Sequence, residues 1–127
     1  MGARQNRQIV EAAYEAYGRG DLDAVVDSVA DDVLWNNRSR APYAGMYKGK
    51  DGVRAFFDAL GIIDIEQFDV HTLMDQDDTV VALVDSRWTV MATGRTVANP
   101  LVQVLMVRDG KVAAFDEFEH DAEAVWS

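Results

Sequence analysis

Hydrophobic residues recur every three to four positions in three stretches of the first half of the chain, which predicts three helices. These positions are Ile9, Val10, Ala13, Tyr14 and Tyr17 in the first stretch, Leu22, Val25, Val26 and Val29 in the second, and Val53, Phe56, Phe57 and Leu60 in the third. Gly18 and Gly20 are suited to end the first helix, and Asp21 is suited to cap the second. We expect the third helix to begin at about Asp51.

After Gly61 the apolar period changes from about 3.6 residues to about 2, and β-branched and aromatic residues become frequent. The pattern predicts four strands, over residues 68–74, 79–92, 95–107 and 111–119. Asp109-Gly110, between the last two, is a strong hairpin signal. Upstream, Val33-Leu34-Trp35 is typical of a short strand, and residues 38–50 are typical of a loop. Helices followed by an antiparallel meander indicate an α+β domain, with a cavity where the helices do not fill the curve of the sheet.

The chain has 127 residues, 49% hydrophobic and 27% charged, which fits one globular domain over residues 1–127. The net charge of −10 and the lack of a clustered basic patch argue against binding to nucleic acid or to an anionic membrane. No apolar run approaches the ~20 residues that cross a bilayer, and the N-terminus does not resemble a signal peptide. Without cysteine, a reducing cytoplasm is the simplest location. These properties favour a small, mostly uncharged ligand or a partner protein.

Four acids lie in the segment Phe115–Asp121, at the end of the last predicted strand. Strand alternation places Phe115, Glu117 and Glu119 on one face and the residues between them on the other. A carboxyl group against apolar surface has its ionised form disfavoured, which raises its pKa toward a range useful for proton transfer. Glu117 is therefore the candidate general acid or base, and His120 is a weaker candidate beside it. The alternative is that these acids solvate an edge strand and a tail.

Several segments of the chain resemble the SnoaL-like superfamily, which includes ketosteroid isomerases, limonene-epoxide hydrolases and nuclear transport factor two. The segments are residues 20–25, 30–35, 42–49, 53–57, 89–95 and 109–112. The resemblance covers nearly the whole chain and implies an α+β, cone-shaped, nuclear-transport-factor-two-like fold. In that fold, three N-terminal helices pack on a curved, mostly antiparallel mixed sheet that encloses a pocket. The same cone hosts isomerases, hydrolases, cyclases and binding proteins, so the resemblance is informative about fold and weakly so about chemistry.

The ketosteroid isomerases suggest site residues one position at a time. Their general base corresponds to Asn37, whose amide cannot accept a proton at neutral pH, so this isomerisation mechanism is not expected. Their oxyanion-stabilising acid corresponds to Gln103, which can still donate a hydrogen bond. Their first-helix tyrosine falls near Ala13, and Tyr14 or Tyr17 is a candidate substitute.

The epoxide hydrolases of the superfamily use an arginine and two acids around an activated water. Arg87 and Glu117 resemble the arginine and one acid, whereas the second acid falls on Thr89. Asn37 is a candidate to hold the water, and Glu117 is also the nearest match to the acid of SnoaL-type cyclases. Arg87 and Glu117 have a structural alternative, an ion pair between facing strands. Gln103 similarly either binds ligand or satisfies a buried neighbour.

The remaining candidates for ligand binding are mainly aromatic. They are Tyr14, Tyr17, Trp35, Phe57, Trp88, Phe115 and Glu119. Large aromatic residues also dominate the core of a small domain, so core packing is the alternative for each ring. Whether Arg87 or Trp88 faces inward depends on a one-residue register, which the sequence leaves open. No metal-ligand spacing, P-loop or dinucleotide motif is present, and we predict neither a metal nor a cofactor.

Two functions fit these residues. The first is a cofactor-independent acid–base enzyme, of isomerase, cyclase or hydrolase type, acting on a small hydrophobic molecule in the cone cavity. Glu117 would move the proton, while Gln103 and Asn37 would orient the polar group of the ligand. The second is a ligand-binding or accessory domain without catalysis. Apolar residues on the outer face of the sheet predict a homodimer joined through the sheets.

Overall fold

The computed structural model describes residues 2–119 and 123–126 of the 127-residue chain. Its helices are α1 (Ala3–Gly18), α2 (Leu22–Asp27) and α3 (Gly49–Ala59). Its strands are β1 (Val29–Asn37), β2 (Gly45–Lys48), β3 (Ile63–Gln76), β4 (Thr79–Val90), β5 (Thr96–Arg108) and β6 (Lys111–Glu119). Short 3₁₀ turns span Leu60–Ile62 and Glu123–Trp126.

The three helices lie where the apolar periodicity predicts them. In the connection between α1 and α2, Gly20 has a φ of 74°, a left-handed conformation that glycine adopts without strain. Asp21 caps α2 by accepting a hydrogen bond from the backbone N–H of Ala24 at 3.1 Å. The second helix is shorter than predicted, because Val29 begins β1 and pairs with Val112 of β6.

The strands form one six-stranded sheet in the order β2-β1-β6-β5-β4-β3. β1 runs parallel to β6, and the other neighbouring pairs are antiparallel. The predicted fold, with three helices on a mostly antiparallel mixed sheet, is confirmed. β1 is longer than the short strand predicted at Val33-Leu34-Trp35, and β2 and β3 also differ from the prediction. β2 lies inside the segment expected to be a loop. β3 begins at Ile63, five residues before the predicted start. The pattern did not show this extension, because the first half of β3 is polar and exposed rather than alternating.

The hairpin between β5 and β6 sets the register of the last strand. Asp109 and Gly110 have φ values of 52° and 79°, which is the type I′ turn that an Asp-Gly pair favours. Just beyond the turn the pairing shifts by one residue, because Ala113 has no partner on β5. This β-bulge changes which side chains of β6 point toward the helices.

The main core lies between the helices and the inner face of the sheet. Val10 of α1, Val53 of α3 and Val33 of β1 are fully buried there. Each contributes about 1.5–3 kcal/mol through burial of its side chain. On β4, Trp88 faces this core, and its ring centroid lies 5.6 Å from that of Trp126 near the C-terminus. The C-terminal turn therefore packs over the inner face of the sheet.

The outer face of the sheet is partly apolar. Its exposed hydrophobic residues, each at least 38% exposed, include Leu34, Met46, Val102, Met106 and Phe118. They come from β1, β2, β5 and β6, which are neighbours in the sheet, so they form one patch. Within the described ranges, no helix is long and apolar enough to span a membrane.

Candidate active site

Asn37, Glu117 and Gln103 lie side by side on three neighbouring strands, and we call them the polar row. The register pairs Glu117 of β6 with Asn37 of β1 on one side and with Gln103 of β5 on the other. Their side chains are nearly inaccessible, at 1%, 7% and 4% exposure for Asn37, Glu117 and Gln103 respectively. Polar groups this deep need hydrogen-bond partners, and the polar row supplies them internally.

Both carboxylate oxygens of Glu117 accept a hydrogen bond from an amide. Nδ2 of Asn37 donates to Oε2 at 2.7 Å, and Nε2 of Gln103 donates to Oε1 at 2.7 Å. The amide oxygens are engaged as well: Oδ1 of Asn37 accepts from the backbone N–H of Ser39 at 3.0 Å, and Oε1 of Gln103 accepts from the Tyr14 hydroxyl at 2.6 Å. These contacts orient both amides so that each presents an N–H to the carboxylate.

A cavity opens beside the polar row, between the helices and the inner face of the sheet. It offers about 90 Å³ to the centres of water-sized molecules. Its wall is mainly aromatic, with Tyr14, Tyr17, Trp35, Tyr43, Phe56, Phe57, Phe68, Trp88 and Phe115. Its polar lining includes Ser86, Gln103, Glu117 and Glu119. Glu117 is thus an acid in a largely apolar enclosure.

The environment of Glu117 and Glu119 raises the pKa of both carboxyl groups. For Glu117 the main cause is burial, opposed by hydrogen bonds from Gln103, Glu119 and Asn37. For Glu119 burial and the nearby charge of Glu117 raise the pKa to about 7. The hydrogen bond between the two carboxyls lowers the pKa of Glu117 and raises that of Glu119. When the pair holds one proton, the proton therefore belongs to both carboxyls together.

Three tyrosines face the same acids. Burial raises the pKa of Tyr14 and Tyr17 on α1, and the charge of Glu117 adds to the effect. Burial also raises the pKa of Tyr43, together with the charges of Glu119 and Glu117. All three phenols are therefore neutral at physiological pH, and the Tyr14 hydroxyl donates to Gln103.

Arg87 lies outside this site. Because side chains alternate along β4, Ser86 and Trp88 are buried whereas Arg87 is exposed on the outer face. Glu117 points to the inner face from β6. The expected contact between Arg87 and Glu117, whether catalytic or an ion pair, is wrong. The register question is settled in favour of Trp88, which lines the cavity.

The other aromatic candidates all line the cavity, and some also belong to the core. Trp35 and Phe115 are stacked with ring centroids 3.8 Å apart, and both are buried. Tyr17 and Phe57 are only half-buried, with ring centroids 5.7 Å apart. These two rings therefore form the more accessible part of the wall.

Sequence reasoning missed Tyr43, Phe68 and Asn99. Tyr43 and Phe68 line the cavity. The only local indication of Tyr43 in the sequence is its position next to Pro42. Asn99 of β5 is 1% exposed, and neither polar atom of its side chain has a hydrogen bond of ordinary geometry among the described residues. It nevertheless lies close enough to Glu119 to favour the charged carboxyl. No local pattern marks this asparagine.

The weaker candidate His120 and the last acid of the cluster, Asp121, lie outside the described residues. Within the described residues, no three side chains of His, Asp or Glu are placed to hold a metal ion together.

Comparisons with known proteins bear on the whole fold. The family model of the SnoaL-like domain matches residues 10–115. An NTF2-like protein of Burkholderia xenovorans LB400 is 26% identical, with a TM-score of 0.87 over 98% of each chain. An NTF2-like protein of Burkholderia thailandensis E264 is 29% identical, with a TM-score of 0.85 over 91% of this chain and 90% of that one. TerC, crystallised with polyporic acid, is 19% identical with a TM-score of 0.84 over 97% and 99%, which shows a shared fold alone. A search of curated proteins finds no match.

Proposed function

The chain belongs to the SnoaL-like domain family, and from its site we propose that it is a cofactor-independent acid–base catalyst acting on a small hydrophobic molecule. The observation that carries the proposal is the Glu117 carboxylate, buried in an aromatic cavity and held by an amide on each oxygen. Each oxygen has two lone pairs, so the amide bonds leave the carboxylate with capacity to accept a proton of the ligand.

The geometry supports Glu117 as a general base. Burial raises the pKa of its carboxyl, which makes the carboxylate a stronger base than a solvated glutamate. The amides of Asn37 and Gln103 hold the carboxylate in one orientation, so they position the base rather than bind the ligand. Proton removal from a carbon next to a carbonyl is the step that this arrangement fits best, since that C–H is acidic enough for a carboxylate. Isomerases and cyclases both begin with it.

The experiment uses 3-cyclohexen-1-one, a small apolar ketone, as a probe. In D₂O, wild-type protein should catalyse exchange of the protons at C2, measured by NMR. Glu117→Gln should slow this exchange by at least about 100-fold, the lower range for general-base catalysis. Asp116→Asn is the matched control, because Asp116 is the neighbouring acid on the outer face, where it contacts Arg38. Its exchange rate should equal that of the wild type.

A ligand-binding domain without catalysis is the competing function, and two measurements separate it from the proposal. A binder should show the same thermal shift with the probe in wild type and in Glu117→Gln, with no exchange in either. NMR titration of the Glu117 carboxyl provides the second. A pKa near that of a solvated glutamate would remove the physical basis of the catalytic role.

We further propose that the protein is a homodimer joined through the outer faces of its sheets. The support is the exposed patch of Leu34, Met46, Val102, Met106 and Phe118, which a monomer would leave in water. A two-fold axis would bring the same patch together from both copies. A cytoplasmic location remains a prediction from the cysteine-free sequence.

A further inference from the structure

The lining of the cavity contains acids and no base. Glu117 and Glu119 both line it, whereas no arginine, lysine or histidine of the described residues does. Arg87, the basic residue expected beside Glu117, is exposed on the outer face of the sheet. A buried carboxylate is strongly stabilised by a nearby positive charge. Because the described side chains supply none here, a bound ligand can supply it.

The hydrogen bonds of the polar row favour the ionised form of Glu117. Asn37 and Gln103 donate to its two carboxylate oxygens at 2.7 Å each. Donors to a carboxylate stabilise its charged form. Neither amide carries a formal charge, so the negative charge of Glu117 is held in place by its partners but not neutralised by them.

Aromatic rings lie directly beside this charge. Phe115 precedes Glu117 by two residues on β6, and its partner in the sheet, Trp35, precedes Asn37 by two residues on β1. The rings of Trp35 and Phe115 are stacked with centroids 3.8 Å apart, and nine aromatic residues in all line the cavity. The face of an aromatic ring attracts a cation that lies within about 6 Å of its centroid. The carboxylate and the rings can therefore bind the same positively charged group.

The mainly aromatic wall also determines which kind of cation fits. A primary ammonium group has three N–H donors, and each one buried without an acceptor costs free energy. A quaternary ammonium group has no N–H donor, and its methyl groups make apolar contacts. Clusters of aromatic rings are a common way to bind such groups.

We propose that the cavity binds small organic cations, with a quaternary ammonium group held between the Glu117 carboxylate and the aromatic wall. Glu119 lines the same space and adds to its negative potential. The net charge of −10 attracts cations toward the protein as a whole. This binding goes beyond the acid–base function proposed above and does not require it.

Two probes of the same shape test the proposal. Phenyltrimethylammonium carries the quaternary charge, and tert-butylbenzene has a carbon in place of the nitrogen and is neutral. Tryptophan fluorescence measures the binding of either probe, because Trp35 and Trp88 line the cavity. At pH 8.5 the wild type should bind the cation saturably.

Variants that remove a charge locate the binding site. Glu117→Gln should weaken binding of the cation by at least about tenfold, as expected for loss of a charge pair away from bulk water, and should change the affinity for tert-butylbenzene by less than about threefold. Glu119→Gln should shift the preference in the same direction, and it carries the test if Glu117→Gln does not fold by circular dichroism. Asp116→Asn is the matched control, because Asp116 contacts Arg38 on the outer face, and it should bind both probes as the wild type does.

Tyr17 tests the aromatic wall, because it lines the cavity and is only half-buried. Tyr17→Leu should weaken binding of the cation by at least about threefold, and by more than it weakens binding of tert-butylbenzene. Tyr17→Phe keeps the ring, so its affinity for the cation should stay within about twofold of the wild type.

The affinity for the cation should also rise with pH. Burial and the charge of Glu117 raise the pKa of Glu119 to about 7, so the acids of the cavity gain negative charge between about pH 5.5 and 8.5. Tyr14, Tyr17 and Tyr43 stay neutral over this range, because their pKa values are raised. The cation should bind at least about fivefold more tightly at the higher pH, whereas binding of tert-butylbenzene should not change.

Three results would overturn the proposal. They are a wild type that does not bind the cation saturably, equal losses of both probes in Glu117→Gln, and a loss in Asp116→Asn as large as that in Glu117→Gln. The last would place the cation on the acidic outer surface. Because these are equilibrium measurements without turnover, they are independent of the ketone exchange that tests Glu117 as a base. Cation binding without ketone exchange would remove the catalytic function and leave this inference standing.

Discussion

Replacing Gln103 with leucine removes one side of the polar row while nearly preserving side-chain volume. The Gln103 amide donates to Oε1 of Glu117 at 2.7 Å and accepts from the Tyr14 hydroxyl at 2.6 Å. Its side chain is 4% exposed, so bulk water has little access to either partner. The substitution therefore leaves a buried carboxylate with one donor fewer and a buried phenol without an acceptor.

The size of the effect depends on the charge of Glu117. A hydrogen bond to a charged group contributes about 1.5–3 kcal/mol, and one between neutral groups contributes about 0.5–1.5 kcal/mol. Burial of leucine offsets about 1–2 kcal/mol of the combined loss. We expect Gln103→Leu to lower the free energy of unfolding by about 2 kcal/mol at pH 8.5, above the pKa of about 7 of Glu119. At pH 5.5, below that pKa, the two carboxyls share a proton and the charge on Glu117 is smaller, so the loss should shrink to about 1 kcal/mol.

Urea unfolding at the two pH values, followed by tryptophan fluorescence, measures the difference. Gln67→Leu is the matched control, because this exposed glutamine donates to exposed Asp69 at the same distance of 2.7 Å. Its effect should stay within about 0.5 kcal/mol at both pH values, as for most surface substitutions. An equal loss for Gln103→Leu at both pH values would refute the reasoning, since it would mean that Gln103 does not stabilise the charge of Glu117.

Three other consequences can be measured. Because the folded-state pKa of Glu119 is raised from 4.5 to about 7, unfolding free energy should fall as pH rises through this range. The loss of unfolding free energy is at most about 3 kcal/mol and is smaller after solvent screening. Urea unfolding measures it, and a Glu119→Gln variant with the same pH dependence as the wild type would contradict it. Phe115→Ala should cost about 3–5 kcal/mol in unfolding free energy, because Phe115 is 4% exposed and stacks on Trp35; a loss below about 1 kcal/mol would contradict that packing. Met106→Lys places a charge in the outer-face patch and should give monomers in analytical sedimentation. Met91→Lys is the control, because Met91 is exposed outside the sheet, and this variant should remain a dimer. A monomeric wild type would exclude the dimer.

The fold could be predicted because its signals are local and repeated. The three helices and the strands of the meander each carry several turns or pleats of consistent pattern, and the predicted SnoaL-like family is confirmed. β2 could not be predicted in the same way. It has four residues at the edge of the sheet with no buried side chain, so neither length nor alternation distinguishes it from a loop.

The site was less accessible from the sequence because its contacts are distant along the chain. Glu117 stood out locally, as an acid between aromatic residues. The contact between Tyr14 and Gln103 joins residues 89 positions apart, so no local pattern contains it. Arg87 was misplaced because the alternation of β4 can be read in two phases, and only the pairing with its neighbours shows that Trp88 faces inward.

The burial of Glu117 is decided at the hairpin, several residues before the site. Val112 points inward beside the turn, and plain alternation from there would turn Asp116 inward and Glu117 outward. Ala113, the unpaired residue of the bulge, shifts the alternation by one position and brings Glu117 opposite Gln103. Without that shift the amides would face an aspartate, whose carboxyl is one methylene closer to the backbone. The type I′ turn and the bulge therefore determine which acid the cavity contains.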